Sequence, residues 1–236
     1  MKDQQPALQV VFEDNHLIAV NKPAGVLVQA DETGDATLAD AVKLYIKDRY
    51  NKQGEVFLGV VHRIDRPVSG VVVFARTSKA LERMNRLFAE RKVQKTYLAI
   101  VRNRPDPLSG NLQHFILKDH DRNTVRALEQ IGRRTKDAKL GVLDYELLAE
   151  IDRHYLVEVA PKTGRPHQIR AQLAAIGCPI MGDVKYGFKH PNHDGSIHLH
   201  SWKLEFEHPV KLSPVNISAQ TPNENYWRMF HNFLKE

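Results

Sequence analysis

The segment VHRIDRPVSGVVVFA, residues 61 to 75, sets one carboxylate, Asp65, between two guanidinium groups, Arg63 and Arg66. Ser69, Gly70 and a run of β-formers follow. A carboxylate so placed can serve as a metal ligand, a general acid or base, or a covalent nucleophile at an anomeric carbon. The flanking arginines favour its ionised form and can bind phosphates, and a Ser-Gly turn lets backbone approach a ligand. A solvated Arg–Asp–Arg cluster at the start of a strand has the same composition, so the local pattern leaves catalysis and surface pairing both open. His62, His167, His198 and His200 raise a second chemistry, metal-dependent hydrolysis, since HLH puts two imidazoles on one strand face. The sequence lacks HExxH and the cysteine pattern of a zinc deaminase, which favours core or RNA-contacting histidines and no metal. HRID also departs from the HRD arrangement of a kinase catalytic loop.

Composition narrows the partner. The 236-residue chain carries 34 Lys and Arg against 28 Asp and Glu, a net +6. The excess is central: Arg83, Arg86, Arg91, Lys92, Lys95, Arg102 and Arg104 face only Glu90 between residues 83 and 104, and GRRTKDAK at 132–139 adds a second cluster. Such a stripe suits an anionic partner, and a solubilising surface would share its composition. One cysteine, Cys178, excludes an intrachain disulfide or a cysteine-rich zinc knuckle and is assigned to packing. MKDQQPALQVV holds no apolar signal segment, and the longest apolar runs are far short of a membrane span, so a cytoplasmic protein without a membrane partner is expected.

The elements that must position these residues follow from periodicity. Residues 8–28 read as two short strands joined at a polar turn, then a Pro-containing loop at Lys22 to Gly25. TLADAVKLYIKDRY, 37–50, predicts a helix with Thr37 and Asp40 at capping-box spacing. VVVFA is a buried strand. The helix after it buries Leu81, Met84, Leu87, Phe88 and the stem of Arg91, leaving Arg83, Arg86 and Lys92 outside. TYLAIVR is a strand, 112–130 a hairpin, and 143–161 a second antiparallel pair. RPHQIRAQLAAIG predicts a short helix with Pro166 in its first turn and Gly177 ending it. IHLHSWKLEFEHP is a late strand, and the terminal segment a docked helix burying Trp227, Phe230 and Phe233. The expected fold is α+β: a mixed, mainly antiparallel sheet core with flanking helices and a central cleft, one domain over 1–236. Neither GxGxxG nor GxxxxGK[ST] is present for a regular βαβ nucleotide fold.

A family resemblance adds what periodicity cannot. HRIDRPVSG closely resembles the HRLDxxTSG signature of the RluA-type pseudouridine synthases. EDNHLIAVNKPAGVLV, QKTYLAIV, TGRPHQIRAQLAAIGCPIMGDVKYG and LHSWKLEFEHP are similar to further segments of that family, in family order from about residue 8 to 210. The resemblance implies a pseudouridine synthase-like fold and cofactor-free isomerisation of uridine in structured RNA, a tRNA or rRNA stem-loop. It makes Asp65 the catalytic aspartate, Tyr97 the aromatic residue that stacks on the target base, and Arg165 the basic partner of the aspartate.

Isomerisation requires breaking C1′–N1, rotating the detached uracil and joining C1′ to C5. Asp65 either attacks C1′ or removes a sugar proton to form a glycal, the route expected for the family. Arg63 matches the arginine that holds RNA with its uridine flipped out; Arg66, Arg83, Arg86 and His167 complete the expected RNA contacts. Val68 stands where the family has Thr, and Gln172 where many members have His. No separate N-terminal RNA-binding domain is expected, and a monomer is. A protein that binds structured RNA without modifying it is the alternative, which the joint presence of Asp65, Tyr97 and Arg165 disfavours.

Overall fold

The computed structural model describes residues 8–32, 34–119 and 121–234. The first elements are β1 (Gln9–Glu13), β2 (Leu17–Lys22), α1 (Leu38–Arg49), β3 (Gly59–Val60), β4 (Ser69–Ala75) and α2 (Ser78–Ala89). Then come β5 (Gln94–Val101), β6 (Ser109–Asp119), β7 (Thr124–Leu128), β8 (Lys139–Ile151), β9 (His154–Pro161) and α3 (Gln168–Ala175). A 3₁₀ turn at Val184–Tyr186, β10 (Leu199–Glu207), β11 (Pro214–Ser218), α4 (Asn225–Met229) and a second 3₁₀ turn at His231–Phe233 complete the order. They form two compact units: the described parts of Met1–Val93 with Lys203–Gln220, and of Gln94–Trp202 with Thr221–Glu236. Each combines antiparallel strand pairs with helices, the expected α+β class.

In the first unit β2 pairs with β1 and β4, β3 adds to β4, and β11 to the end of β10, all antiparallel. Leu17 to Val20 and Val71 to Ala75 are completely buried, which is why both strands read as unbroken apolar runs rather than alternating ones. Thr37 caps α1 as expected: its side chain accepts the Asp40 amide, and the Asp40 carboxylate accepts the Thr37 amide. α2 buries Ala80 and Met84, with Leu81, Leu87 and Phe88 packed beside Val71, Val73 and Phe206. Arg91 does not extend that stripe. It lies beyond the helix with φ 59°, and the Lys92 amide turns back to the Leu87 carbonyl at 2.8 Å, so the Arg91 stem is carried out to solvent.

The second unit orders its strands β5-β9-β8-β6-β7. The β8–β9 hairpin closes on Asp152 and Arg153, both left-handed at φ 48° and 57°, the signature of a two-residue turn that matches strand twist. Its main core gathers Leu98, Ile100, Leu156, Met181, Trp227 and Phe230. The terminal helix is shorter than expected: α4 ends at Phe230, and Phe233 is 54% exposed while Trp227 and Phe230 are buried. The backbone of Phe230 leaves the helix at φ −101°, ψ 3°, carrying Phe233 past the core. Nor does Pro166 sit inside α3. The left-handed backbone of His167 (φ 48°, ψ 21°) cannot continue a right-handed helix, so α3 starts at Gln168. Gly177, at φ 76°, ends that segment.

A buried polar knot ties the β1–β2 turn to the chain after β10. Asp14 Oδ1 accepts the His16 and Leu17 amides at 2.8 Å each, while Oδ2 lies 2.8 Å from Lys211 Nζ and 3.0 Å from His208 Nε2. His208 Nδ1 accepts the Val210 and Lys211 amides, which leaves its proton on Nε2, facing Asp14. Burial alone would raise the Asp14 carboxyl; hydrogen bonds from Lys211, His16 and Leu17 and the charge of His208 outweigh it and hold the pKa at about 2. Because that lies below the ordinary 3.8, the knot stabilises fully above pH 3.8 and fades as pH falls toward 2. Asp14→Asn is expected to lower unfolding free energy by about 2 kcal/mol at pH 7 and by much less at pH 2.5, read by urea denaturation at both pH values.

Candidate catalytic site

Asp65 occupies the loop from β3 to β4, closed by the Val68 amide on the Asp65 carbonyl at 3.1 Å. Ile64 and Val68 are buried on either side, so apolar anchors hold the loop while Asp65 stays half-buried and Arg63 exposed. Val68, the departure from the family's Thr, is 2% exposed and works as an anchor. Arg66 reaches the opposite loop: its Nε donates to the Gly25 carbonyl at 2.9 Å and its Nη1 pairs with Asp35 at 2.9 Å. His62 is part of the frame. Its Nε2 accepts the Val73 amide at 3.0 Å, and its ring stacks on Phe88.

The residue that organises this loop was missed by sequence reasoning. Lys22, at the end of β2, is completely buried, and its Nζ donates to the carbonyls of Pro23, Val26 and Arg66 at 3.0, 2.8 and 3.1 Å. Three acceptors match the three protons of an ammonium. The Arg66 carbonyl also takes the Gly25 amide at 2.8 Å, so the Arg66–Pro67 peptide, one residue beyond Asp65, is clamped from two directions. Burial pulls the Lys22 pKa down to about 7; the charge of Asp65 acts against that pull and the charge of Arg66 adds to it. The available signal was a cation at the end of the inward-facing run LIAVNK, just before a proline.

The second unit carries the other predicted residues. Tyr97 lies half-buried on β5, paired with Val159 of β9, whose chain runs on into the turn holding Arg165. Lys95 Nζ approaches the Thr163 carbonyl of that turn at 3.5 Å, so strand and turn meet. The turn is built around Gln168, 4% exposed. Its Oε1 accepts the Thr163 hydroxyl at 2.7 Å and the Arg165 amide at 3.0 Å, and its Nε2 donates to the Val142 carbonyl at 3.1 Å. Arg165 Nε donates to the Leu140 carbonyl at 3.1 Å, leaving its two Nη groups without a protein partner among the described residues. Gln172, the second departure from the family pattern, is fully buried and donates to the Leu112 and Gly141 carbonyls, tying α3 to β6 and β8.

The remaining candidates are dispersed. Arg83 and Arg86 lie on α2, where Arg83 Nη1 donates to the Pro209 carbonyl at 2.7 Å and Arg86 pairs with Glu82 at the surface. His198 and His200 are buried against Trp227. Cys178 is buried too, which pushes its thiol pKa up. Among the described residues no cluster of three or more His, Cys, Asp or Glu could hold a metal.

Residues 16–175, which contain Asp65, Tyr97, Arg165 and His167, match the family model described as RNA pseudouridylate synthase. The chain is 34% identical to tRNA pseudouridine synthase C of Haemophilus ducreyi over 95% of both chains. It is 32% identical to ribosomal large subunit pseudouridine synthase D of Zymomonas mobilis, over 94% of this chain and 71% of that one. In fold it is similar to human RNA pseudouridylate synthase domain containing 4, with a TM-score of 0.77 at 24% identity over 96% and 93% of the two chains. An antiparallel α+β scaffold, a clamped aspartate loop and these matches together define an isomerase of RNA: the chain belongs to the RNA pseudouridylate synthase family. It is an RNA pseudouridine synthase.

The titration of Lys22 should depend on the charge of Asp65. Replacing Asp65 with Asn removes the charge that favours the ammonium, so the Lys22 pKa is expected to fall below its wild-type value of about 7, read by NMR of the side-chain methylene next to Nζ. Lys22→Met takes the ammonium donor from the Pro23 and Val26 carbonyls and leaves the Arg66 carbonyl to the Gly25 amide alone, and is expected to cost roughly 3 kcal/mol of stability in urea denaturation. An unshifted Lys22 titration, or wild-type stability of the methionine variant, would contradict the clamp.

Proposed function

We propose that the enzyme converts a flipped uridine of a tRNA or ribosomal RNA stem-loop to pseudouridine, with Asp65 acting on the ribose, Tyr97 stacking on the base and Arg165 partnering the aspartate. The observation that carries this reading is the Asp65 loop: a half-buried carboxylate on a peptide clamped by a buried ammonium, inside the span shared with the family. A solvated ion-pair cluster needs no such clamp, and Arg66, one of its two supposed partners, pairs with Asp35 instead. Relatives named for tRNA and for ribosomal RNA both align along more than nine-tenths of the chain, which supports these two classes of substrate.

In the reaction the C1′–N1 bond breaks as Asp65 either bonds to C1′ or takes a sugar proton to give a glycal. The detached uracil turns on the Tyr97 face and C1′ bonds to C5, as the Asp65–C1′ bond breaks on the first route or Asp65 returns its proton to C2′ of the glycal on the second; the C5 proton then leaves and N1 gains one, so atoms balance without an oxidant. The clamp keeps the carboxylate from relaxing as charge moves on the sugar, which is the benefit of preorganisation. By the family resemblance Arg165 is the partner of the aspartate, while the exposed Arg63, with Arg66, Arg83, Arg86 and His167, meets phosphates of the displaced strand. The protein acts in the cytoplasm as a monomer, with no membrane partner and no cofactor.

Nucleotide-resolution pseudouridine mapping of total RNA from cells with and without the protein is expected to reveal at least one site restored by wild type and not by Asp65→Asn. Restoration by Asp65→Asn would end the assignment of that carboxylate. Tyr97→Phe, which keeps the stacking face, is expected to retain RNA affinity and lose most single-turnover rate; equal rates would remove any role for the hydroxyl. Arg86→Gln is the cleaner test of the helical footprint, because Arg83 also ties α2 to Pro209. It is expected to weaken RNA binding and to lower the salt slope by roughly 1, measured by filter binding across a salt series.

A further inference from the structure

The turn that carries Arg165 is braced through His167 by Tyr186, Arg170 and Asp183, to which the mechanism above gives no part. His167 holds a left-handed backbone, φ 48° and ψ 21°, which costs a non-glycine residue roughly 1–2 kcal/mol and persists where surrounding contacts over-determine it. Its side-chain contact is Tyr186. The Tyr186 hydroxyl lies 2.7 Å from His167 Nδ1, with the two rings edge-on at 86°. The same hydroxyl accepts the amide of Val125, in β7, at 2.9 Å. One lone pair is thus committed to backbone, and the hydroxyl lies within hydrogen-bond distance of His167 Nδ1.

Tyr186 is itself fixed. Its amide donates to the Asp183 carbonyl at 3.1 Å, and its ring packs with Ile116, Val125 and Ala171. The Arg170 guanidinium lies over its face, 4.9 Å from the centroid. Arg170 and Asp183, 5% and 1% exposed, form a two-pronged ion pair at 2.7 and 2.8 Å. A buried pair with such geometry resists rearrangement, since separating it would strand charge out of water. A continuous brace therefore runs from Asp183 through Arg170 and Tyr186 to His167. It holds one end of the turn, and Gln168 holds Arg165 from within it.

We propose that Tyr186 is a positioning residue for the isomerisation: its hydroxyl, seated between the Val125 amide and His167, fixes the left-handed turn and hence the placement of the Arg165 guanidinium. The inference rests on the reading of Arg165 as the partner of the catalytic aspartate. Nothing in it requires Tyr186 to touch RNA.

Tyr186→Phe deletes the hydroxyl and keeps the ring. The assay uses unmodified tRNA and ribosomal RNA transcripts, followed on one that wild type modifies. The single-turnover rate is expected to fall roughly 10- to 100-fold, as for a displacement of about 1 Å at a catalytic group, while RNA affinity stays within about twofold. A hydroxyl acting through Arg165 has nothing left to position once the guanidinium is gone, so Tyr186→Phe combined with Arg165→Ala is expected to match Arg165→Ala alone. Placing 4-aminophenylalanine at position 186 returns a donor and acceptor to the same point and is expected to recover most of the rate. A wild-type rate for Tyr186→Phe, multiplicative losses in the double variant, or no recovery with the amino analogue would each overturn the proposal. Wild-type turnover by Arg165→Ala is a different result: it overturns the reading of Arg165 beneath it.

Discussion

A single buried ammonium sets the terms for the first unit. Lys22 Nζ meets three backbone carbonyls in a place without water access, and one of them belongs to the residue after Asp65. Carbonyls in a loop normally turn to solvent, because burial without a donor costs more than the loop can recover. Here the lysine supplies the donors, and two loops far apart in sequence close against each other. The outcome is a carboxylate on a fixed loop whose side chain is only half-buried. The nearby Asp65 charge in turn makes an ammonium tolerable where burial alone would strip its proton.

The second unit solves the same problem with neutral groups. Gln168 spends both ends of its amide on the turn of residues 163–168, taking the Thr163 hydroxyl and the Arg165 amide on one side and giving to Val142 on the other. Arg165 keeps one nitrogen on the Leu140 carbonyl, so its stem is oriented while its Nη groups have no protein partner among the described residues. Gln172 shows how a departure from the family pattern can leave the scaffold whole, since its amide bonds the Leu112 and Gly141 carbonyls of two strands. Both units thus place a candidate site residue on irregular backbone and hold that backbone by polar bonds to regular elements.

Much of this framework was legible before any coordinates. The unbroken apolar runs at 17–20 and 71–75 announced strands covered on both faces, and Thr37 with Asp40 announced the start of α1, because those signals are local and one burial pattern satisfies them. The errors fall where the chain leaves regular geometry. Arg91, Pro166 and Phe233 were each assigned by extending a helical period one turn too far, and each lies past a residue whose backbone had already left the helix. A left-handed His167 has no compositional warning, because histidine carries none of glycine's freedom.

The sequence by itself determined the family and the α+β class, since these are written as motifs in a fixed order along the chain, and the same motifs carry the proposal of Asp65, Tyr97 and Arg165 as site residues. Only the tertiary structure decided which groups hold them. That Arg66 serves Gly25 and Asp35, that Lys22 turns inward onto three carbonyls, and that Tyr186 reaches back to His167 are outcomes of partners distant in sequence. Hydrogen bonds depend on direction and on angstrom-scale distance, and neither can be read from residue type; hydrophobic periodicity, which needs only the choice of a face, can.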